Sequence, residues 1–173
     1  IRWILFSSLA DGISTSKNLL MSEDVLAAIN AIKKLGIQVK FRNNVCKIYG
    51  KGVEGYKYKR NLIINAENSG TLGRLILGLL INTTHPIKMI GDKSLSKRDF
   101  KRITDPLTKF GAKFKLKNKK NLPLTIYGSK NLKPVKYYEK KGSAQCKSAV
   151  IFGGMRTKGV TLIKAKKSRN HTE

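Results

Sequence analysis

NAENSGTLGRLILGLL, residues 65–80, is the stretch from which the rest of the reading follows. An apolar run at 62–64 enters the polar turn Asn68-Ser69-Gly70-Thr71 and leaves as an apolar segment interrupted by one arginine, Arg74. That is a strand, a tight loop and a helix start. Asn68 or Ser69 can cap the helix, and Gly70, lacking a Cβ, lets a ligand approach the backbone closely. The first turn of a helix leaves amide N–H groups without partners and carries the positive end of the dipole, so it suits a phosphate or a carboxylate. A lone Ser-Gly-Thr would more simply cap and turn. The anion-site reading gains weight because the same layout recurs along the chain.

On the N-terminal side, IRWILFSSLADG (1–12) has the pattern of an amphipathic or buried helix that starts at residue 1 without a cap, as though the chain opened inside an element; a fragment is expected. A strand at 13–18 follows. Ser22-Glu23-Asp24 then opens a helix with acidic residues at its positive end, Val25, Ile29 and Ile32 share its apolar face, and Gly36 terminates it. Strands are expected at 37–41 and 45–49. From residue 51 the order restarts: strand 62–66, helix 69–81, strand 87–90, helix 97–110, and strands 112–116 and 122–127. Phe100, Ile103, Leu107 and Phe110 make one face of the second helix. Pro106 inside it should kink it, at about 3 kcal/mol unless the geometry accommodates the ring.

The two series overlay. KKLGIQVKF matches TKFGAKFKL with Gly36 on Gly111, and KIYG matches TIYG with Gly50 on Gly128. Gly142-Ser143-Ala144-Gln145 falls on Asn68-Ser69-Gly70-Thr71, with a helix at 147–155 and a strand at 160–164 behind it. Self-similarity at this period means tandem architecture. The fold class is α/β (α+β) in tandem βαβαββ units, read as one incomplete domain over 1–173 with units 1–50, 51–128 and 129–173.

Composition adds a constraint on partners. The chain has 36 Lys+Arg against 10 Asp+Glu, a net +26, but only 8 of the basic residues are Arg and they are spread over all the elements. Such a charge normally points to a polyanion. A nucleic-acid-binding module would account for it, yet basic residues are not interleaved with aromatic platforms and no RNP, KH or helix-turn-helix signature is present. Nucleic acid is ranked low, and most lysines read as solvated. Cys46 and Cys146 form no CxxC, and His85 and His171 fall in no ligand spacing, so no metal is expected. No stretch has the length of a membrane span and no signal peptide is visible, so the expectation is a cytoplasmic protein.

NSGTLGRLILGLL, GDKSLSKRDFKRITDPLTKFGAKF, GSAQCKSAVIFGG and SRNHTE, in this order and over nearly the whole chain, resemble EPSP synthase of the bacterial class with a Ser-Ala-Gln loop. The sister family, UDP-N-acetylglucosamine enolpyruvyl transferase, shares that fold but uses a catalytic cysteine loop not found here. The resemblance implies a pseudo-threefold domain of the inside-out α/β barrel (EPT/RTPC-like) type, a second domain of the same enzyme across a cleft, a monomer, and no cofactor. It implies transfer of the enolpyruvyl group of phosphoenolpyruvate to the 5-hydroxyl of shikimate 3-phosphate, with release of phosphate. By motif, Arg2, Ser143, Ala144, Gln145, Ser168 and Arg169 would bind shikimate 3-phosphate. Gly70, Arg98 and Gln145 would bind phosphoenolpyruvate, and Asn68, Thr71 and Arg74 would shape the supporting loop. The Lys-Ser pair that precedes Arg2 in the family is absent. So are the acid–base carboxylates, which the resemblance places in the second domain; no catalytic residue is assigned in this chain, and inactivity alone is expected. Gly70 would leave room for glyphosate, the family's inhibitor.

Overall fold

Residues 1–140 and 142–166 are described by the structure, a computed structural model. The chain runs α1 (Arg2–Leu9), β1 (Asp11–Lys17), α2 (Glu23–Lys34), β2 (Gln38–Arg42), β3 (Val45–Lys51), β4 (Ile63–Asn65), α3 (Gly70–Leu79), β5 (Ile87–Ile90), a 3-10 turn (Leu95–Lys97), α4 (Lys101–Thr108), β6 (Lys113–Lys117), β7 (Asn121–Tyr127), β8 (Lys136–Glu139), α5 (Ala144–Met155) and β9 (Leu162–Ala165).

The sheets repeat one another. β4-β5-β7-β6 form a sheet in that order, with β4 parallel to β5 and the other pairs antiparallel. β1-β3-β2 reproduce the β5-β7-β6 part, with Ser14 opposite Ile48 where Ile87 lies opposite Ile126. β8 and β9 reproduce the parallel β4–β5 pair. A parallel strand pair needs a crossover, and a crossover helix runs back against its strands. The N-termini of α3 and α5 therefore both sit at the C-terminal ends of the strands that precede them, the usual place for a ligand in parallel sheets.

α3 is apolar on every side apart from Arg74 and one threonine, and such a helix must be buried all round. Nine of its ten residues are, Thr71 being the exception. It packs most extensively on α5, and the contact is close: a Cβ on Gly78 would lie 2.1 Å from the Ala149 carbonyl oxygen. The two helices run in the same sense, since Gln145 meets Thr71 and Arg74 at one end while Arg156 meets Asn82 at the other. α1 reaches α5 through Phe6 and Phe152, whose ring centroids are 4.6 Å apart. Ile4, Leu5, Ile32, Ile48, Leu75, Phe100, Phe110 and Phe152 belong to a single buried cluster that joins the repeats.

The helix expected at 147–155 opens earlier, at Ala144, because Ser143 caps it, and two further expectations need correcting. The helix expected over 97–110 begins at Lys101. Asp99 Oδ1 accepts from the Lys101 amide at 2.7 Å, and the Phe100 amide donates to the Lys120 carbonyl at 2.8 Å, so the chain enters the helix late and Arg98 is left extended (φ −75°, ψ 152°). Pro106 then deprives one carbonyl, that of Arg102, of its helical donor. The Cys146 thiol lies 3.8 Å from that oxygen, and α5 supplies what the proline removed. The second correction is β8, whose sequence KYYE carries no apolar alternation and was not anticipated as a strand. β9 holds it in place, and the Glu139 side chain is buried beneath the start of α5.

Candidate functional site

Ser69 caps α3, its Oγ accepting from the Leu72 amide at 3.2 Å. Asn68 does something else. Its Nδ2 donates to Asp92 Oδ2 at 2.6 Å, while Asp92 Oδ1 accepts from the Leu95 amide, also at 2.6 Å. This carboxylate ties the 3-10 turn to the start of α3, and both bonds hold the Asp92 pKa below its ordinary value, the Leu95 amide contributing most. The tie brings Arg98 over the helix end. A Cβ on Gly70 would lie 2.8 Å from Arg98 Nη1 and 3.2 Å from Arg74 Nη1. The glycine is thus the floor of a small space walled by two guanidinium groups.

α5 closes that space from the neighbouring repeat. Ser143 caps it, with Oγ accepting from the Cys146 amide at 3.3 Å, and Ala144 forms its buried first residue. Gln145 accepts at Oε1 from Arg74 Nη1 and donates from Nε2 to Thr71 Oγ1 at 3.1 Å. One turn further on, Ser148 Oγ accepts from Nε and Nη2 of Arg2 at 3.3 and 3.2 Å, bringing in the first repeat. Glu139 Oε2 accepts from the Ser143 amide at 2.8 Å, so that amide is not open to a ligand.

Positive charge dominates the site. The Arg74 pKa is lowered first by burial, then by Arg102 and by Arg98, which means three guanidinium groups crowd one helix N-terminus. A dianion would relieve that repulsion and meet the unpaired amides of α3.

Gly70, Thr71, Arg74, Arg98 and Gln145 therefore converge, with Ser143 and Ala144 at the adjoining corner and Arg2 linked through α5. Asn68 braces the loop from outside. Ser168 and Arg169 lie outside the described residues. Asp92 and Ser148 were not singled out in the sequence. Ser148 was within reach of pattern reading, since it stands three residues after Gln145 on one helical face. Asp92 was not, because its partner is 24 positions away. A separate cavity of about 630 Å³, lined by Glu23, Asn30, Lys33, Lys34, Asn65 and Glu67 among others, has mixed charge and no convergent arginines.

Residues 1–173 match the family described as EPSP synthase (3-phosphoshikimate 1-carboxyvinyltransferase). The chain belongs to the EPSP synthase family. Among similar proteins, the 3-phosphoshikimate 1-carboxyvinyltransferase of Streptococcus agalactiae serotype Ia is 42% identical over 174 residues, covering 99% of this chain and 40% of the relative. That of Caldicellulosiruptor bescii is 41% identical with the same coverage. The EPSP synthase structure from Acinetobacter baumannii superimposes with a TM-score of 0.91 at 33% identity, over 99% of this chain and 39% of that one. The chain thus spans about 40% of the length of these curated relatives, and the α/β fold is that of EPSP synthase.

Proposed function

We propose that this chain is the part of a 3-phosphoshikimate 1-carboxyvinyltransferase that binds shikimate 3-phosphate and phosphoenolpyruvate. The observation that carries this is the convergence of Arg98, Arg74 and Gln145 on the Gly70 space at a helix N-terminus. Phosphoenolpyruvate fits there: its anionic end meets the amides of α3 and the exposed Arg98 guanidinium, and Gln145 donates from the side. Shikimate 3-phosphate occupies the adjoining corner at Ser143, Ala144 and Gln145, with Arg2 and, on this reading, Ser168 and Arg169 completing it.

Placing the two substrates side by side orients the 5-hydroxyl toward the enol double bond, and orientation of this kind lowers the barrier without any group in this chain moving a proton. The acid–base groups belong, on the same reading, to the portion of the relatives that this chain does not span. Closure of that portion would exclude water and strengthen each of these charges. The three units 1–50, 51–128 and 129–173 then form one lobe, working as a cytoplasmic monomer without cofactor, and open to glyphosate at Gly70.

Calorimetric titration of the chain with shikimate 3-phosphate at moderate salt tests this. Saturable binding that is clearly weakened in Gln145→Ala is expected. Salt-sensitive retention on DNA, indifferent to shikimate 3-phosphate, would instead establish the nucleic-acid reading and remove this one.

A further inference from the structure

The hydrogen bonds between α3 and α5 have a direction. A guanidinium group only donates, so the Gln145 atom facing Arg74 has to be Oε1. Nε2 is consequently turned to Thr71, whose oxygen accepts one of its two hydrogens. The second hydrogen has no acceptor among the described residues, and the Thr71 hydroxyl, used as an acceptor, keeps its own hydrogen to give.

Arg74 reaches the Gly70 space only through Nη1, the atom that also donates to Gln145, and is otherwise enclosed. It is 6% exposed, stands 5.9 Å from the centre of the Phe100 ring, and its buried Nε has no hydrogen-bond partner among the described residues. Arg98, by contrast, is exposed and free to close on an anion. Burying a guanidinium group with an unsatisfied nitrogen is unfavourable, and the arrangement has no evident packing gain over a leucine at that position. What it does achieve is polarity. With a neutral residue at position 74 the carboxamide could turn over and present Oε1, an acceptor, to the anion site.

We propose that Arg74 is a positioning residue, acting through Gln145: it locks the carboxamide with its amide side toward the site, so that the corner offers only donors and selects an anion. The inference rests on the binding role proposed above, but one arm of its test does not. In that arm the Gln145 side-chain amide is followed by nitrogen NMR in the ligand-free chain. A rigid amide in the natural sequence should become mobile in Arg74→Met and less so in Arg74→Lys, which keeps a donor. An amide equally rigid in both variants would overturn the proposal, whatever binds.

The second arm measures phosphoenolpyruvate affinity in the presence of shikimate 3-phosphate. Arg74→Met should weaken it roughly tenfold, the scale of one hydrogen bond to a charged group, and should cause no further loss once Gln145→Ala is present. Losses that simply add would mean that Arg74 acts on the ligand independently, and would also overturn the proposal. If the natural chain bound neither substrate, the binding role would fail while the NMR arm still decided the positioning claim.

Discussion

Gly70 is the residue on which access to the site turns. Alanine there would place its methyl 2.8 Å from the Arg98 guanidinium and 3.2 Å from that of Arg74. Arg98 is exposed and can swing away, and alanine is no worse than glycine in a helix, so the fold should survive. The methyl would occupy the space offered to the anion. Gly70→Ala is expected to leave the thermal midpoint within a few degrees and to weaken phosphoenolpyruvate more than about tenfold, read by melting and calorimetry on one preparation; a matching loss of stability would make the glycine structural. Asp92 acts through charge. Its folded pKa is depressed below 3.8, so its contribution is complete above the unfolded value and is lost as pH falls through the lower, folded one. Asp92→Asn should therefore have a lower urea midpoint than the natural chain at pH 7, and the gap should narrow below about pH 4. A gap constant with pH would mean that shape, and not charge, ties the 3-10 turn to α3. Both residues were visible as types in the sequence, but only the fold shows what each touches.

At the scale of elements, the α3–α5 contact positions the site, and Gly78 sets its separation. The atom that a Cβ would strike is a backbone oxygen at 2.1 Å, which no rotamer change can move. Gly78→Ala should cost about 1–3 kcal/mol or more as the helices part, lowering the midpoint by about 2–4 °C per kcal/mol. Because Gln145 reaches Thr71 only while the helices stay close, substrate binding should fall with it, whereas alanine at Gly52, which has open space around it but a positive φ of 75°, should cost stability alone. The helical period made α3 and the face of α4 legible in advance. It could not show where α4 begins, because Phe100 bonds to Lys120 in the turn between β6 and β7, nor β8, whose strand state depends on β9.

For the whole molecule the dominant fact is a net charge of +26 on 173 residues. An exposed pair such as Lys101–Asp105, at 2.6 Å, offsets little of it. Self-repulsion should make the fold more stable as salt rises from about 0.01 to about 0.15 M, where the screening length falls from roughly 30 to roughly 8 Å. Sulfate should exceed chloride at equal ionic strength by occupying the arginine-walled space at Gly70. Thermal melts in the two salts check this, and identical curves would mean that no anion is held there.

The sequence by itself determined the repeat, the helix-opening turns at Ser69 and Ser143, and the residue types that an anion needs, because periodicity, capping and turn chemistry are local properties of a chain. Only the tertiary structure decided that Arg74 grips Gln145, that Asp92 carries Arg98 to Gly70, and that Ser148 holds Arg2. Those contacts join positions 24 to 146 residues apart, and such distances close only when three repeats share one core.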